Sequence, residues 1–193
     1  MEIILASASP RRRVLLEMLS IRGASIRVIP AGTDEDDLED ELSVEERVLV
    51  LARAKACEVA LKCRADCVII AADTLVCLDG EIMGKPSDSD DAVRMLRLLS
   101  GREHEVYTGV CVIHGEHEIT RSQCTHVRFR ELSEREIAAY VASGDPMDKA
   151  GAYGAQGRAA LFIERIDGDY FNVVGLPLCL LGQMTAEIGI NLL

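Results

Sequence analysis

Asp73 follows C-V-I-I-A-A at 67–72, a continuous apolar run whose length predicts a central strand covered on both faces. In open α/β sheets ligands gather beyond the carboxyl ends of strands, so a carboxylate delivered there is a candidate proton acceptor or metal ligand. The plainer alternative is an Asp that caps the next turn. Lys55 falls on the same helical stripe as Val48, Leu51, Ala52 and Val59, four residues after Leu51. A lysine there must either snorkel to water or meet a negative partner. Lys85 stands between Gly84 and Pro86, which presents a side chain from a fixed loop. Ser9 precedes Pro10, Arg11 and Arg12, the pattern of an N-cap followed by a first helical turn. Cations in that turn oppose the helix dipole, and a polyanion docked on the same end would offset this. The ordinary reading is a capped surface helix with two solvated arginines. The run Thr33-Asp34-Glu35-Asp36-Asp37, continued by Glu39, Asp40 and Glu41, is either a solvated loop or a source of oxygen ligands for a divalent cation. Cations to hold phosphates, with carboxylates to hold a metal or deprotonate water, make a toolkit for cleaving a phosphoanhydride.

The elements that must position these groups follow from periodicity and caps. Ile3, Ile4 and Leu5 predict a short buried strand, and Val14, Leu15, Met18 and Leu19 recur at helical spacing behind Pro10. Gly23 is a candidate C-terminal cap, and 25–29 alternates as a strand. Ser43 with Glu46, and Ser133 with Glu136, are capping boxes that open two further helices. Asp79-Gly80 between 75–78 and 81–83 reads as a type I′ hairpin, which would end the 67–72 strand before Asp73. A helix is predicted over 88–99, with Ala92, Met95, Leu96 and Leu99 inward and Gly101 after its end. Segments 105–113 and 119–129 predict an antiparallel strand pair. The glycine-rich segment from Asp148 to Gly157 reads as a loop that lines a pocket or simply turns. Segment 161–166 with Asp167-Gly168-Asp169 suggests another hairpin, and Pro177 begins a final helix.

The 193 residues fit one domain, 1–193, without repeat or linker. An apolar share of 49% against 27% charged residues excludes a disordered chain. The net charge of −11 argues against nucleic acid and anionic membranes as partners and makes the placement of each cation informative. No run approaches a membrane span, and Met1-Glu2-Ile3 lacks the basic start of a signal peptide, so the expected setting is the cytoplasm. Seven cysteines without a C-x-x-C pair predict neither a zinc site nor a disulfide framework. The four histidines, His104, His114, His117 and His126, lack metal-ligand spacing and read as surface or sheet residues.

Read together, L-A-S-A-S-P-R-R, A-A-D-T, G-K-P, L-S-G-x-x-H-x-V-x-T-G-V, D-K-A-G-A-Y-G-A-Q-G and N-V-V-G-L-P-L run in order from Leu5 to Leu178. This set resembles the Maf family of nucleoside triphosphate pyrophosphatases. The resemblance implies an α/β fold with an elongated, bent mixed sheet flanked by helices, related to the inosine triphosphate pyrophosphatases. It implies hydrolysis of a nucleoside triphosphate to the monophosphate and pyrophosphate with a divalent cation, Mg²⁺ or Mn²⁺. By motif, Ser9, Arg11 and Arg12 would meet the triphosphate, and Lys55 and Lys85 would neutralise its charge. Asp73 would accept the proton of the attacking water, and Glu35 would help to bind metal or water. Arg11, Thr74 and Gln156 resemble the branch acting on dTTP and UTP. Gln156 carries both a donor and an acceptor, which suits the O4/N3–H edge of thymine and uracil. Ala155 stands where the family often has a larger aliphatic residue. Maf proteins are also named for inhibiting septum formation, so a nucleotide-responsive regulator is the alternative, and a purine-type pyrophosphatase is another. A homodimer is compatible with either.

Overall fold

The structure is a computed structural model and describes residues 1–33 and 42–193. Its elements in chain order are β1 (Glu2–Leu5), α1 (Pro10–Met18), β2 (Ser25–Val28), α2 (Val44–Ala60), β3 (Val68–Leu78), β4 (Glu81–Met83), α3 (Ser89–Leu99), β5 (Glu103–His114), β6 (His117–Phe129), α4 (Glu134–Val141), β7 (Ile163–Asp167), α5 (Tyr170–Val174) and α6 (Leu178–Glu187). Short 3-10 turns fill the stretch between α4 and β7. The seven described strands form one mixed sheet in the order β2-β1-β3-β5-β6-β7, with β4 beside β3. This is the expected fold class, a mixed sheet flanked by helices.

The chain divides into two compact units. The first comprises Met1–Asp73, Thr108–Gln123 and Gly175–Leu193. In it β1 pairs in parallel with both β2 and β3, which leaves Ile3, Ile4 and Leu5 fully buried. Helix α2 covers this region: Ala52, Ala56 and Val59 pack with Ile4, Ala6, Ile69, Ala71 and Cys111. Small residues on both partners allow a close approach, and at one point the approach is extreme. A Cβ on Gly109 of β5 would lie 2.1 Å from the Val48 carbonyl oxygen, so only glycine fits there.

The second unit comprises Thr74–Tyr107 and Cys124–Val174. Its core is built on Leu96, Leu99, Val106, Val127, Phe129 and Ile137, joined by Tyr140, Tyr153 and Phe162. The aromatic members meet edge to face, Phe129 with Tyr153 at 4.8 Å and Tyr140 with Phe162 at 5.2 Å between ring centres. Helix α3 buries Ala92, Met95, Leu96 and Leu99, the face that its periodicity predicts.

Local signals held at the helix starts. Ser9 accepts from the Arg12 amide with Pro10 in the first turn, and both capping boxes are complete. Asp79 and Gly80 both take positive φ, as a type I′ turn requires. Four readings needed correction. Helix α1 buries Leu15 and Leu16, whereas Val14 and Met18 are exposed. That helix ends at Met18, and Ser20 rather than Gly23 takes the first left-handed position after it. Strand β3 does not stop before Asp73 but continues to Leu78, since Leu75, Val76, Cys77 and Leu78 are as strongly strand-forming as the residues before it. After β7 the chain enters helix α5 instead of a hairpin, and β7 pairs back onto β6.

Candidate active site

Strand alternation puts Ile69, Ala71 and Asp73 on one face of β3, and Ile69 and Ala71 pack against α2. Lys55 extends from α2 beside that contact. Its Nζ meets Asp73 Oδ1 at 2.5 Å, with the side chains 15% and 4% exposed. Lys55 therefore does not snorkel out. A pair this dry is costly to desolvate and is retained by its hydrogen bond and charge attraction. Asp73 Oδ2 is buried and has no hydrogen-bond partner among the described residues. A buried carboxylate with one oxygen fixed by a cation and the other unused is poised to accept a proton or to ligate a hard cation.

In the same unit, the turn after β1 is organised by a residue that sequence reasoning passed over. Ser7, 7% exposed, accepts through Oγ from the Ser9 amide and from Arg12 Nη1 at 3.2 Å each. Arg12 Nε also donates to the Gly175 carbonyl at 2.7 Å. The S-A-S spacing was the available signal for Ser7. The Gly175 contact spans 163 residues and has no local signal. These bonds hold the Arg12 guanidinium beside the amino end of α1, where no acidic residue occupies the first turn. Arg11 is partly buried in that turn. A helix start carrying Arg11, Arg12 and Arg13 and no carboxylate in its first turn is an anion-binding arrangement.

The second unit holds the remaining candidates. Thr74 is the partly buried neighbour of Asp73 on β3, Lys85 is exposed after β4, and Gln156 is exposed after the buried run Gly151 to Ala155. One backbone bond, Gly151 N–H to the Gly84 carbonyl at 3.0 Å, joins the loop of Lys85 to the loop of Gln156. Gly151 has φ 66°, and a Cβ there would press on the Val76 methyl groups at 3.0–3.1 Å. The Gln156 loop is anchored by Tyr153, whose hydroxyl lies 2.8 Å from His104 Nε2. His104 is 2% exposed, so it is a core residue. Burial depresses its pKa to about 4 and raises that of Tyr153.

Glu35 lies in 34–41, outside the described residues, as does the rest of the acidic run. Just before that segment, Glu58 of α2 accepts from the amides of Gly32 and Thr33 and from the Thr33 hydroxyl at 2.8–3.0 Å. Lys62 adds a further bond at 2.7 Å, and together these hold the Glu58 carboxyl at about 2, Lys62 contributing most.

Comparison with known proteins identifies the family. The family model described as Maf-like protein matches residues 2–188. A dTTP/UTP pyrophosphatase of Thermococcus gammatolerans is 49% identical over 99% of this chain and 98% of its own length. A dTTP/UTP pyrophosphatase of Caldicellulosiruptor bescii is 46% identical over 99% and 96%. Among solved structures, the Staphylococcus aureus Ham1 protein is similar with a TM-score of 0.50 and 16% identity, covering 98% of this chain and 99% of that one, a likeness of fold alone. The end-to-end match at nearly half identity, on a chain whose S-P-R-R turn and Lys55–Asp73 pair are built as described, places this protein in the Maf-like family.

Proposed function

We propose that this protein hydrolyses dTTP and UTP to the nucleoside monophosphate and pyrophosphate. The observation that carries the reading is the buried Asp73, held by Lys55 on Oδ1 with Oδ2 unpartnered among the described residues. The names of the close relatives support the substrate class. Asp73 Oδ2 accepts a proton from the water that attacks the α-phosphorus, and the bond between the α- and β-phosphates breaks with pyrophosphate leaving. Lys55 fixes the carboxylate orientation. Ser9, Arg11, Arg12 and Lys85 bind the triphosphate, and Thr74 and Gln156 select the base edge, with Gln156 pairing to O4 and N3–H.

Carboxylates such as those of Asp73 and Glu35 are the donor type that a divalent cation, Mg²⁺ or Mn²⁺, takes, and the ion would neutralise phosphate charge when bound. A cytoplasmic nucleotide pool is the proposed setting. No helix among the described residues is long and apolar enough to cross a membrane.

The test is a panel of nucleoside triphosphates with Mg²⁺ or Mn²⁺, following monophosphate and pyrophosphate. dTTP and UTP should be turned over well ahead of ATP and GTP. Asp73→Asn should lower kcat about 10²–10⁴-fold while nucleotide binding survives. A purine preference would overturn the substrate assignment, and near wild-type turnover by Asp73→Asn would overturn the role of Asp73.

A further inference from the structure

The cysteine and histidine spacings predict no zinc site, because such spacing signals are local in sequence. Strand pairing can assemble ligands that no linear motif shows. In the second unit, Glu105 on β5 and Cys124 and His126 on β6 bring a carboxylate oxygen, a thiol sulfur and an imidazole nitrogen within 4.8 Å of one another. The two-residue turn between β5 and β6 makes them an antiparallel pair, so residues two apart on each strand face the same way. Glu103 is two residues before Glu105, and its Oε1 lies 3.8 Å from His126 Nδ1. Tyr107, two residues after Glu105, hydrogen-bonds to both Cys124 and Glu105. Three donors of different softness are thus accompanied by a carboxylate at the imidazole and a hydroxyl at the thiol and the carboxylate. Such outer contacts orient metal ligands.

We propose that Glu105, Cys124 and His126 form a binding site for a borderline-soft divalent cation of the zinc class, separate from the hard-cation chemistry assigned to Asp73. One thiolate and one carboxylate balance the charge of the ion, and a neutral imidazole completes a three-ligand set with one position open to water. Bonds of about 2.0–2.3 Å in a tetrahedral arrangement require ligand separations of roughly 3.3–3.8 Å. The present separations, up to 4.8 Å, exceed that by about an ångström, and the three side chains are half-buried or exposed. Mixed N, S and O donors disfavour Mg²⁺ and Ca²⁺, which take oxygen ligands. The ion would link β5 to β6 on a face of the second unit.

The test uses the full chain, freed of metal with a chelator and kept reduced. Titration with Co²⁺ should give a thiolate-to-cobalt charge-transfer band that saturates as a single site, and Zn²⁺ should abolish the band where excess Mg²⁺ does not. Cys124→Ser should abolish the band, and His126→Gln should weaken Zn²⁺ binding at least about tenfold; Glu103→Gln should weaken it less. Cys179→Ser, which removes an exposed thiol elsewhere, should change nothing. Zn²⁺ at about a hundredfold excess over its Kd should raise Tm by roughly 5–10 °C in the wild type, and not in the folded Cys124→Ser, His126→Gln double variant. Absence of binding, a stoichiometry or band unchanged in Cys124→Ser, or displacement by Mg²⁺ would each overturn the site.

Discussion

Lys55 and Asp73 show how a catalytic reading and a stability reading can be separated at a single contact. Removing one partner strands the other in a dry environment, so Lys55→Ala should lower the unfolding free energy by about 3–5 kcal/mol. Replacing both, Lys55→Met with Asp73→Leu, should recover most of that loss, because two apolar side chains need no partner. Urea denaturation of the three proteins measures this, and a double variant no more stable than Lys55→Ala would refute it. Activity should stay absent in the double variant even where stability returns. His104 carries a second residue-scale prediction. Its pKa falls from 6.5 to about 4 on folding because burial disfavours the charged ring. Between those values the unfolded chain binds a proton that the folded chain refuses, so stability falls as pH drops from about 6.5 to 4, by up to about 3 kcal/mol. His104→Gln should flatten that part of the pH–stability curve. The burial of His104 was not legible from its neighbours, since Glu103 and Glu105 flank it and strand alternation hides which face is inside. That Lys55 needed a resolution was legible from its apolar stripe. Its partner was not, because the pairing joins two elements 18 residues apart.

Elements announced themselves where the signal is local and failed where it depends on a distant partner. Capping boxes at Ser43 and Ser133 involve groups three residues apart, and both formed. Ser43→Ala should cost about 1 kcal/mol, read as a shift in the urea midpoint at unchanged slope. The buried face of α1 was ambiguous because nine residues of mixed polarity suit more than one face, and packing chose Leu15 and Leu16. The length of β3 was misjudged because Asp is a poor strand residue in isolation, and pairing with Lys55 outweighs that preference. The hairpin expected after 161–166 failed because β7 finds its partner in β6, far earlier in the chain. Where β5 passes under α2, Gly109→Ala should be severely destabilising, since backbone atoms of Val48 and Leu49 lie 2.1–2.9 Å from the added carbon and cannot rotate away. Circular dichroism against temperature should show a Tm lower by ten degrees or more on an order-of-magnitude basis. A Tm within two or three degrees (about the shift expected for 1 kcal/mol) would mean that the strand and helix can separate at little cost.

For the molecule as a whole, the charge of −11 sets a background that any triphosphate must cross. Raising salt from about 0.01 M to 0.1 M shortens the Debye length from about 30 to about 10 Å, which screens distant acidic residues more than cations in contact with the substrate. kcat/KM for dTTP should therefore rise over that range at saturating metal; a fall would point to long-range attraction instead. Acid should act in the other direction. Glu58 and Glu136 are both held at about 2 in the folded state, by Lys62 and by Arg130 first of all. Their contribution is present above the unfolded carboxylate value and is lost as pH falls toward 2. Glu58 also supplies a way to watch this in solution. The amide protons of Gly32 and Thr33 both point at its carboxylate. Their nitrogen–proton resonances should lie downfield, exchange slowly with deuterium, and shift together as that one carboxylate protonates. In uniformly ¹⁵N-labelled protein, two amide peaks would then report, without any ligand or attached probe, whether the chain leading into 34–41 is still tied to α2.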